Sequence, residues 1–254
     1  MTDAEDHVMR LFYELHSDMP RQGPGDAACT RQAFSMLAGL PPRAEVLDVG
    51  CGPGAQTLTL ATLDTGTITA VDNHAPYLAE LTAVAEQHGL ADRIRTVEKD
   101  MTALDFPAAS CDLIWSEGAI YIMGFETGLR AWRPLLRAGG FLAVTEATWL
   151  ASDPPAEPAA FWDEGYPAMQ DVEANLASIR EAGYRPLGHF TLPDSCWWAD
   201  YYTPLEQRLA EFERHHRGDE SARRIVDMER REIALFRKYA RYYGYVFYVM
   251  RRES

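Results

Sequence analysis

Short apolar runs ending in Gly or Pro alternate along this chain with segments whose apolar residues recur at helical spacing. Glu45-Val46-Leu47-Asp48-Val49 is a run of the first kind, and it suits a strand covered on both faces in a parallel sheet. Thr67 to Val71, Ile94 to Glu98, Cys111 to Ser116 and Phe141 to Glu146 read the same way. Between them Gln56 to Leu63, Tyr77 to Gln87 and Thr127 to Leu136 read as helices, with Gly139-Gly140 as a turn. The alternation has the spacing of βαβ units. Ahead of it lie an amphipathic segment (Val8, Leu11, Phe12, Leu15), the breaker Pro20-Arg21-Gln22-Gly23-Pro24-Gly25, and a helix from about Asp26, its cap, to Ala38. Beyond it a helix from Val172 to Ala182 stops at Gly183 and leads to a strand from Pro186 to Leu192. Tyr245 to Val249, β-branched and aromatic, makes a seventh strand.

The prediction is an α/β fold with a doubly wound, seven-stranded, mostly parallel sheet in a single domain over 1–254. We divide it into an N-terminal helical segment (1–43), a core (44–150) and two insertions (151–170 and 194–243). The second insertion is mostly helical and too long for a plain connection, so a lid is expected.

Composition narrows the classes of function. With 47% hydrophobic and 24% charged residues the chain has an ordinary globular profile. Its 38 acids against 24 bases give a net charge of -14, which disfavours a nucleic-acid partner. The charge is uneven: residues 221–254 carry nine bases and four acids, a net of +5 against -19 for the rest, and we expect this helix to pair with the acidic body. No run of about 18 apolar residues is present, so no membrane span is expected. Asp3, Glu5 and Asp6 stand where an export signal would be basic. The four cysteines form no C-x-x-C pair and read as reduced thiols of a cytoplasmic protein. His215-His216 lacks a third ligand, so no metal is expected.

The first strand runs into Gly50-Cys51-Gly52-Pro53-Gly54-Ala55, a loop that lets backbone approach a nucleotide-like ligand. Read as G-x-G-x-x-A, with Asp72 some twenty residues on, the same letters fit a dinucleotide fingerprint and an NAD-dependent oxidoreductase.

The wider context resembles another family. Val46-Leu47-Asp48-Val49-Gly50-Cys51-Gly52-Pro53-Gly54 resembles the first motif of class I S-adenosylmethionine-dependent methyltransferases, which have a Rossmann-like fold. Val71-Asp72, Lys99-Asp100-Met101, Asp112 to Ala119 and Leu135 to Phe141 follow in that family's order, and the last strand looks like its antiparallel seventh. More narrowly, Gln22-Gly23-Pro24-Gly25, Trp115 to Tyr121 and Gly124-Phe125-Glu126 resemble a bacterial group of the ubiquinone/menaquinone-biosynthesis type. The resemblance implies methyl transfer from S-adenosyl-L-methionine to a small-molecule acceptor. A binding protein of the same family without catalysis fits the same motifs.

The resemblance also implies site residues. Asp72 would accept hydrogen bonds from the ribose diol, and Gly50, Gly52 and Gly54 would let the cofactor lie against backbone. Asp48 would orient the loop or the cofactor's ammonium group; Asp100 and Met101 would hold the adenine. Gln22, Gly23, Gln56, Thr57, Asn73, Ser116 and Glu117 complete the expected cofactor set. Glu117 and Tyr121 are the catalytic candidates, Glu117 acting directly or through hydrogen bonds to its neighbours. Transfer from an activated sulfonium needs alignment before it needs a base. Tyr121, Glu146, Trp149 and Trp197 are the expected acceptor residues, and the aromatic ones read equally well as the apolar underside of a lid. An aromatic wall with nearby carboxylates favours a cationic or aromatic acceptor.

Overall fold

A computed structural model describes residues 3–63 and 65–253. Its elements are α1 (Asp3–His16), α2 (Ala27–Ser35), β1 (Ala44–Val49), α3 (Ala55–Ala61), β2 (Thr65–Asp72), α4 (Ala75–Gln87), β3 (Ile94–Glu98), β4 (Cys111–Ser116), α5 (Phe125–Trp132), β5 (Leu136–Trp149), α6 (Ala156–Gly165), β6 (Gln170–Asp171), α7 (Val172–Glu181), β7 (Tyr184–Thr191), α8 (Ser195–Trp197), α9 (Thr203–His215), α10 (Glu220–Tyr239) and β8 (Tyr243–Arg252). The strands form one sheet in the order β3-β2-β1-β4-β5-β8-β7, with β6 paired to β5. β8 runs antiparallel to both β5 and β7, and the other pairings are parallel. The expected doubly wound sheet with an antiparallel last strand is therefore present, enlarged to eight strands by the two-residue β6.

The central strands β1, β4, β5 and β8 are mostly buried because both faces are covered. Leu113 and Trp115 of β4 point into a core shared with α1, α2, α3, α4 and the late helices, whereas Ile114 points to a second core under α5 and α7. Asp26 caps α2 by accepting a hydrogen bond from the Cys29 amide at 2.6 Å.

Two local expectations are corrected. Gly139-Gly140 is no turn: both residues lie inside β5, with Gly139 at φ +72° beside a register shift in the pairing to β4. The helix expected from Thr127 begins at Phe125, behind Gly124 at φ +85°. The insertion over 151–170 holds α6, which starts directly after Pro155.

The strand order reverses between β1 and β4, and in open α/β sheets the crevice beyond the carboxyl ends at such a point takes the ligand. The glycine loop leaves β1 there, and Ser116-Glu117-Gly118 leaves β4 beside it. Across the sheet, α8 continues through a π-helical turn (Trp198–Tyr202) into α9; α1 packs on α9 and α10. The basic face of α10 pairs outward as expected: Arg230 with Glu213 at 2.7 Å, Arg237 with Glu206 at 2.8 Å and Lys238 with Glu157 at 2.8 Å. Such exposed pairs add little stability.

Candidate cofactor and acceptor site

A cavity of about 350 Å³ opens at the switch point. The cofactor candidates Gln22, Gly23, Gly50, Gly52, Gln56, Asp72, Asn73, Asp100, Met101 and Glu117 all line it, as does Tyr121. Gly50 sits at φ +71°, and a Cβ there would collide with the Cβ of Ala119. Gly54, at φ +94°, leaves no room for a Cβ against Leu81. Glycine is thus demanded at the first position by the cavity wall and at the second by packing behind it.

Asp72, at the end of β2, ties the loop down: its Oδ2 accepts from the Gly52 amide at 2.8 Å and its Oδ1 from the His74 amide at 2.9 Å. Burial raises its pKa, and these two amides oppose the rise. Each carboxylate oxygen keeps a second acceptor site, so the group can hold the loop and still receive a diol. Asp100 accepts from the Thr102 amide at 2.8 Å and its hydroxyl at 2.7 Å, and these bonds hold its pKa low. Tyr77 donates to Gln22 Oε1 at 2.8 Å, while the buried Gln22 Nε2 has no partner in the protein. An unpartnered donor in the cavity wall is what an anionic or carbonyl group of a ligand would satisfy.

Asp48, Gly54, Thr57 and Ser116 lie behind this wall. Asp48 is fully buried, accepting from Thr57 Oγ1 at 2.6 Å and from Gln56 Nε2 at 3.4 Å, so it clamps the start of α3 to β1. Burial pushes its pKa up to about 7; the Thr57 hydrogen bond opposes this and the charge of Glu117 adds to it. Ser116 is fully buried, and its hydroxyl has no partner.

The carboxylate of Glu117 is held on every side. Arg21 donates to Oε2 at 2.9 Å; Thr30 Oγ1 and Trp115 Nε1 donate to Oε1 at 2.7 and 2.9 Å. Both charged side chains are over nine-tenths buried, which makes this a buried ion pair in the cavity wall. Sequence reasoning missed Arg21, although it adjoins the Gln22-Gly23-Pro24-Gly25 breaker and a buried acid on β4 requires a base. Tyr13, Tyr77 and Lys99 were missed as well. The Tyr13 ring stacks on His74 at 3.7 Å and its hydroxyl donates to Asn73 Oδ1 at 3.3 Å, so α1 forms one side of the cavity.

Three acceptor candidates, Glu146, Trp149 and Trp197, do not line this cavity among the described residues. Trp197 stacks on Phe236 at 4.2 Å and meets the edge of Tyr245 at 5.0 Å. Trp149 packs edge-on to Tyr243 at 6.1 Å. Glu146, at the end of β5, is 1% exposed, and its Oε2 has no hydrogen-bond partner. Burial pushes its pKa up to about 8. Tyr121 is 36% exposed and packs on Tyr166 at 5.8 Å. Sequence reading separated the four cysteines, yet Cys29 and Cys196 come to 3.5 Å of one another, with Asp26 alongside.

A glycine loop at the reversal point of a 3-2-1-4-5 sheet, a carboxylate at the end of the second strand and an antiparallel last strand define a Rossmann-like domain for an adenosyl ligand. The comparison with known families agrees. Residues 46–140 match the family described as the methyltransferase domain. A sterol 24-C-methyltransferase of Gibberella zeae is 26% identical over 242 residues, covering 82% of this chain and 61% of that protein. A malonyl-[acyl-carrier protein] O-methyltransferase of Enterobacter lignolyticus is 33% identical over 154 residues, covering 59% of this chain and 53% of that one. The chain therefore spans less than two thirds of the length of these relatives. The fold is shared with a crystal structure of an S-adenosylmethionine-dependent methyltransferase from Geobacter sulfurreducens in complex with S-adenosyl-L-homocysteine, at 22% identity and a TM-score of 0.79 over 95% of this chain and 97% of that one.

Proposed function

We propose that this protein transfers a methyl group from S-adenosylmethionine to a small-molecule acceptor. The observation that carries this reading is the cavity itself, where the glycine loop, Asp72, the unpartnered Gln22 amide and the Glu117–Arg21 pair converge at the switch point. The cofactor supplies a methyl carbon already activated on a sulfonium. The chain's part is then to bind, align and exclude water. Asp72 and Asn73 would receive the ribose, Asp100 and Met101 the adenine, and Gln22, with the free N–H groups of Arg21, the amino-acid end. Asp48 and Thr57 hold the loop from behind. We assign Glu117 to positioning: its carboxylate accepts from Arg21, Thr30 and Trp115 and so keeps Arg21 in place. Tyr121 would face the acceptor.

Both named relatives transfer methyl groups, to a sterol carbon and to a malonyl oxygen, which supports a small acceptor without naming it. The acidic surface supports a substrate other than nucleic acid. No helix of the described residues is long and apolar enough to cross a membrane, and all four cysteines are free, which supports a cytoplasmic setting. Titration calorimetry of the full chain tests the reading. S-adenosylmethionine and S-adenosylhomocysteine are expected to bind saturably at one site, and NADH is not. Absence of saturable binding by both adenosyl compounds would remove the proposal.

A further inference from the structure

The breaker that forms part of the cavity wall leads into a cluster of donors, none of which lines the cavity itself. Asp26 caps α2, Cys29 lies in the first turn of that helix, and Cys196 lies in α8 at the start of the second insertion. The fold brings the Cys29 and Cys196 sulfurs, 167 positions apart, to 3.5 Å. A carboxylate oxygen of Asp26 joins them, and the three donor atoms all lie within 4.8 Å of one another. Both cysteines are over nine-tenths buried, and neither is in a disulfide.

The cluster holds one fixed charge. Burial acts against a charge on Asp26, but the Cys29 amide, 2.6 Å from Oδ1, and the two thiols outweigh it and keep the carboxyl below its usual range. Asp26 is therefore an anion at neutral pH, and among the described residues no Lys or Arg pairs with it. Arg21, whose guanidinium leaves no room for a Cβ at Gly25, is paired with Glu117 instead. The thiols keep their protons: the hydrogen bond to Cys29, and then burial, raises the Cys196 pKa.

Two sulfurs and a carboxylate suit zinc and exclude magnesium and calcium, which take oxygen ligands. Zinc binds thiolate at about 2.3 Å, which sets two thiolates about 3.8 Å apart in a tetrahedron. From the 3.5 Å observed, the sulfurs need to move apart only slightly. A carboxylate has acceptor sites enough for both the α2 amide and a cation. Asp26 is half-buried, so solvent reaches the cluster beside it and supplies an entry path and a fourth ligand.

We propose that Asp26, Cys29 and Cys196 form a zinc site that braces the wall of the cofactor cavity. On binding, the two thiols release their protons to solvent, two Zn–S bonds and one Zn–O bond form, and no oxidation state changes. The ion would tie the first turn of α2 to α8. The cavity wall hangs on that junction, because the Gly25 amide donates to the Cys196 carbonyl at 3.1 Å directly after the lining residues Arg21, Gln22, Gly23 and Pro24. Thr30, next to Cys29, donates to Glu117 at 2.7 Å. A link between the two cysteines therefore steadies both the Gln22 donor and the Glu117–Arg21 pair. The inference stands apart from the methyltransferase reading, since the site needs no cofactor.

The full chain, reduced and stripped of metal with a chelator, is titrated with cobalt(II) and then with zinc(II). One equivalent of cobalt is expected to give a near-ultraviolet thiolate-to-metal charge-transfer band that one equivalent of zinc removes, and zinc is expected to raise the melting temperature. Cys29→Ser and Cys196→Ser should each abolish the band and weaken zinc binding at least a hundredfold. Asp26→Asn, which keeps a good helix cap, should weaken it at least tenfold, and Cys111→Ser should leave band and affinity unchanged. A cooperative melt of each metal-free variant reports that it is folded. Absence of the band from the unaltered protein, or its survival in Cys29→Ser, would overturn the inference. So would loss of two thiols to a Cys29–Cys196 disulfide in a chain that binds no cobalt when reduced, which would make the pair a redox site.

Discussion

The switch-point cavity and the packing away from it treat buried acids in opposite ways. Around the cavity every acidic group has donors of its own: Asp72 has two backbone amides, Asp48 has Thr57 and Gln56, and Glu117 has Arg21, Thr30 and Trp115. Away from it, Glu146 on β5 and Glu229 on α10 each keep a buried oxygen without a hydrogen-bond partner. A satisfied network is a rigid mould that can be set before the ligand arrives. An unsatisfied group carries a cost in stability. The cavity side therefore reads as the place for a common cofactor.

The largest expected effect breaks the satisfied side. Arg21→Ala strands Glu117 as a buried charge and should cost about 3 kcal/mol of stability, read by denaturant unfolding. Arg21→Met with Glu117→Gln should recover more than half of that loss. No recovery would show that the pair is not the unit described. Asp72→Ala is expected to weaken S-adenosylhomocysteine binding by more than about 1.5 kcal/mol, the scale of hydrogen bonds to a charged group. Calorimetry that finds the affinity unchanged would mean the ribose is held elsewhere.

The buried carboxyls on both sides give a shared pH response. A carboxyl whose folded pKa is raised binds more protons in the folded than in the unfolded chain, so stability falls as pH rises from its unfolded toward its folded value. Glu146, pushed up to about 8, Asp48, pushed up to about 7, and Glu229, also raised, all act in this direction. His16, lowered to about 4, acts oppositely, but its contribution is complete above its ordinary value of 6.5. Between pH 6.5 and 8 only the loss remains. The melting temperature should fall across that window, at a slope of up to about 1.4 kcal/mol per pH unit for each carboxyl, and Glu146→Gln should flatten it. A rise in stability over the window would contradict the unpaired state of these groups. The smallest effect concerns Trp197, which packs behind Tyr245. Trp197→Phe should cost about 1–2 kcal/mol of stability yet change S-adenosylhomocysteine affinity less than about twofold; a larger change in affinity would place this ring at the site.

The same contrast decides what could be read from the chain alone. The cofactor side is built by contiguous backbone: Gly50 to Gly54 follows β1 directly, and Asp72 ends the next strand, so spacing and residue type carry the information. The central strands β1, β4, β5 and β8 were legible for a related reason, since a strand buried on both faces is mostly apolar. β6 was not, because two residues leave no periodic trace. The Gly139-Gly140 pair misled because glycine marks bulges as well as turns. The unpartnered acids Glu146 and Glu229 lie on separate elements, and no local pattern marks either as buried. Arg21 was hidden likewise, since its partner Glu117 is 96 residues away.

The measurement that bears most directly on this division is a crystal structure of the full chain with S-adenosylhomocysteine. The account predicts the ribose at Asp72 and the sulfur directed past Gly118 toward Tyr121. A sulfur pointing away from Tyr121, or a cofactor bound outside the glycine-loop cavity, would contradict it.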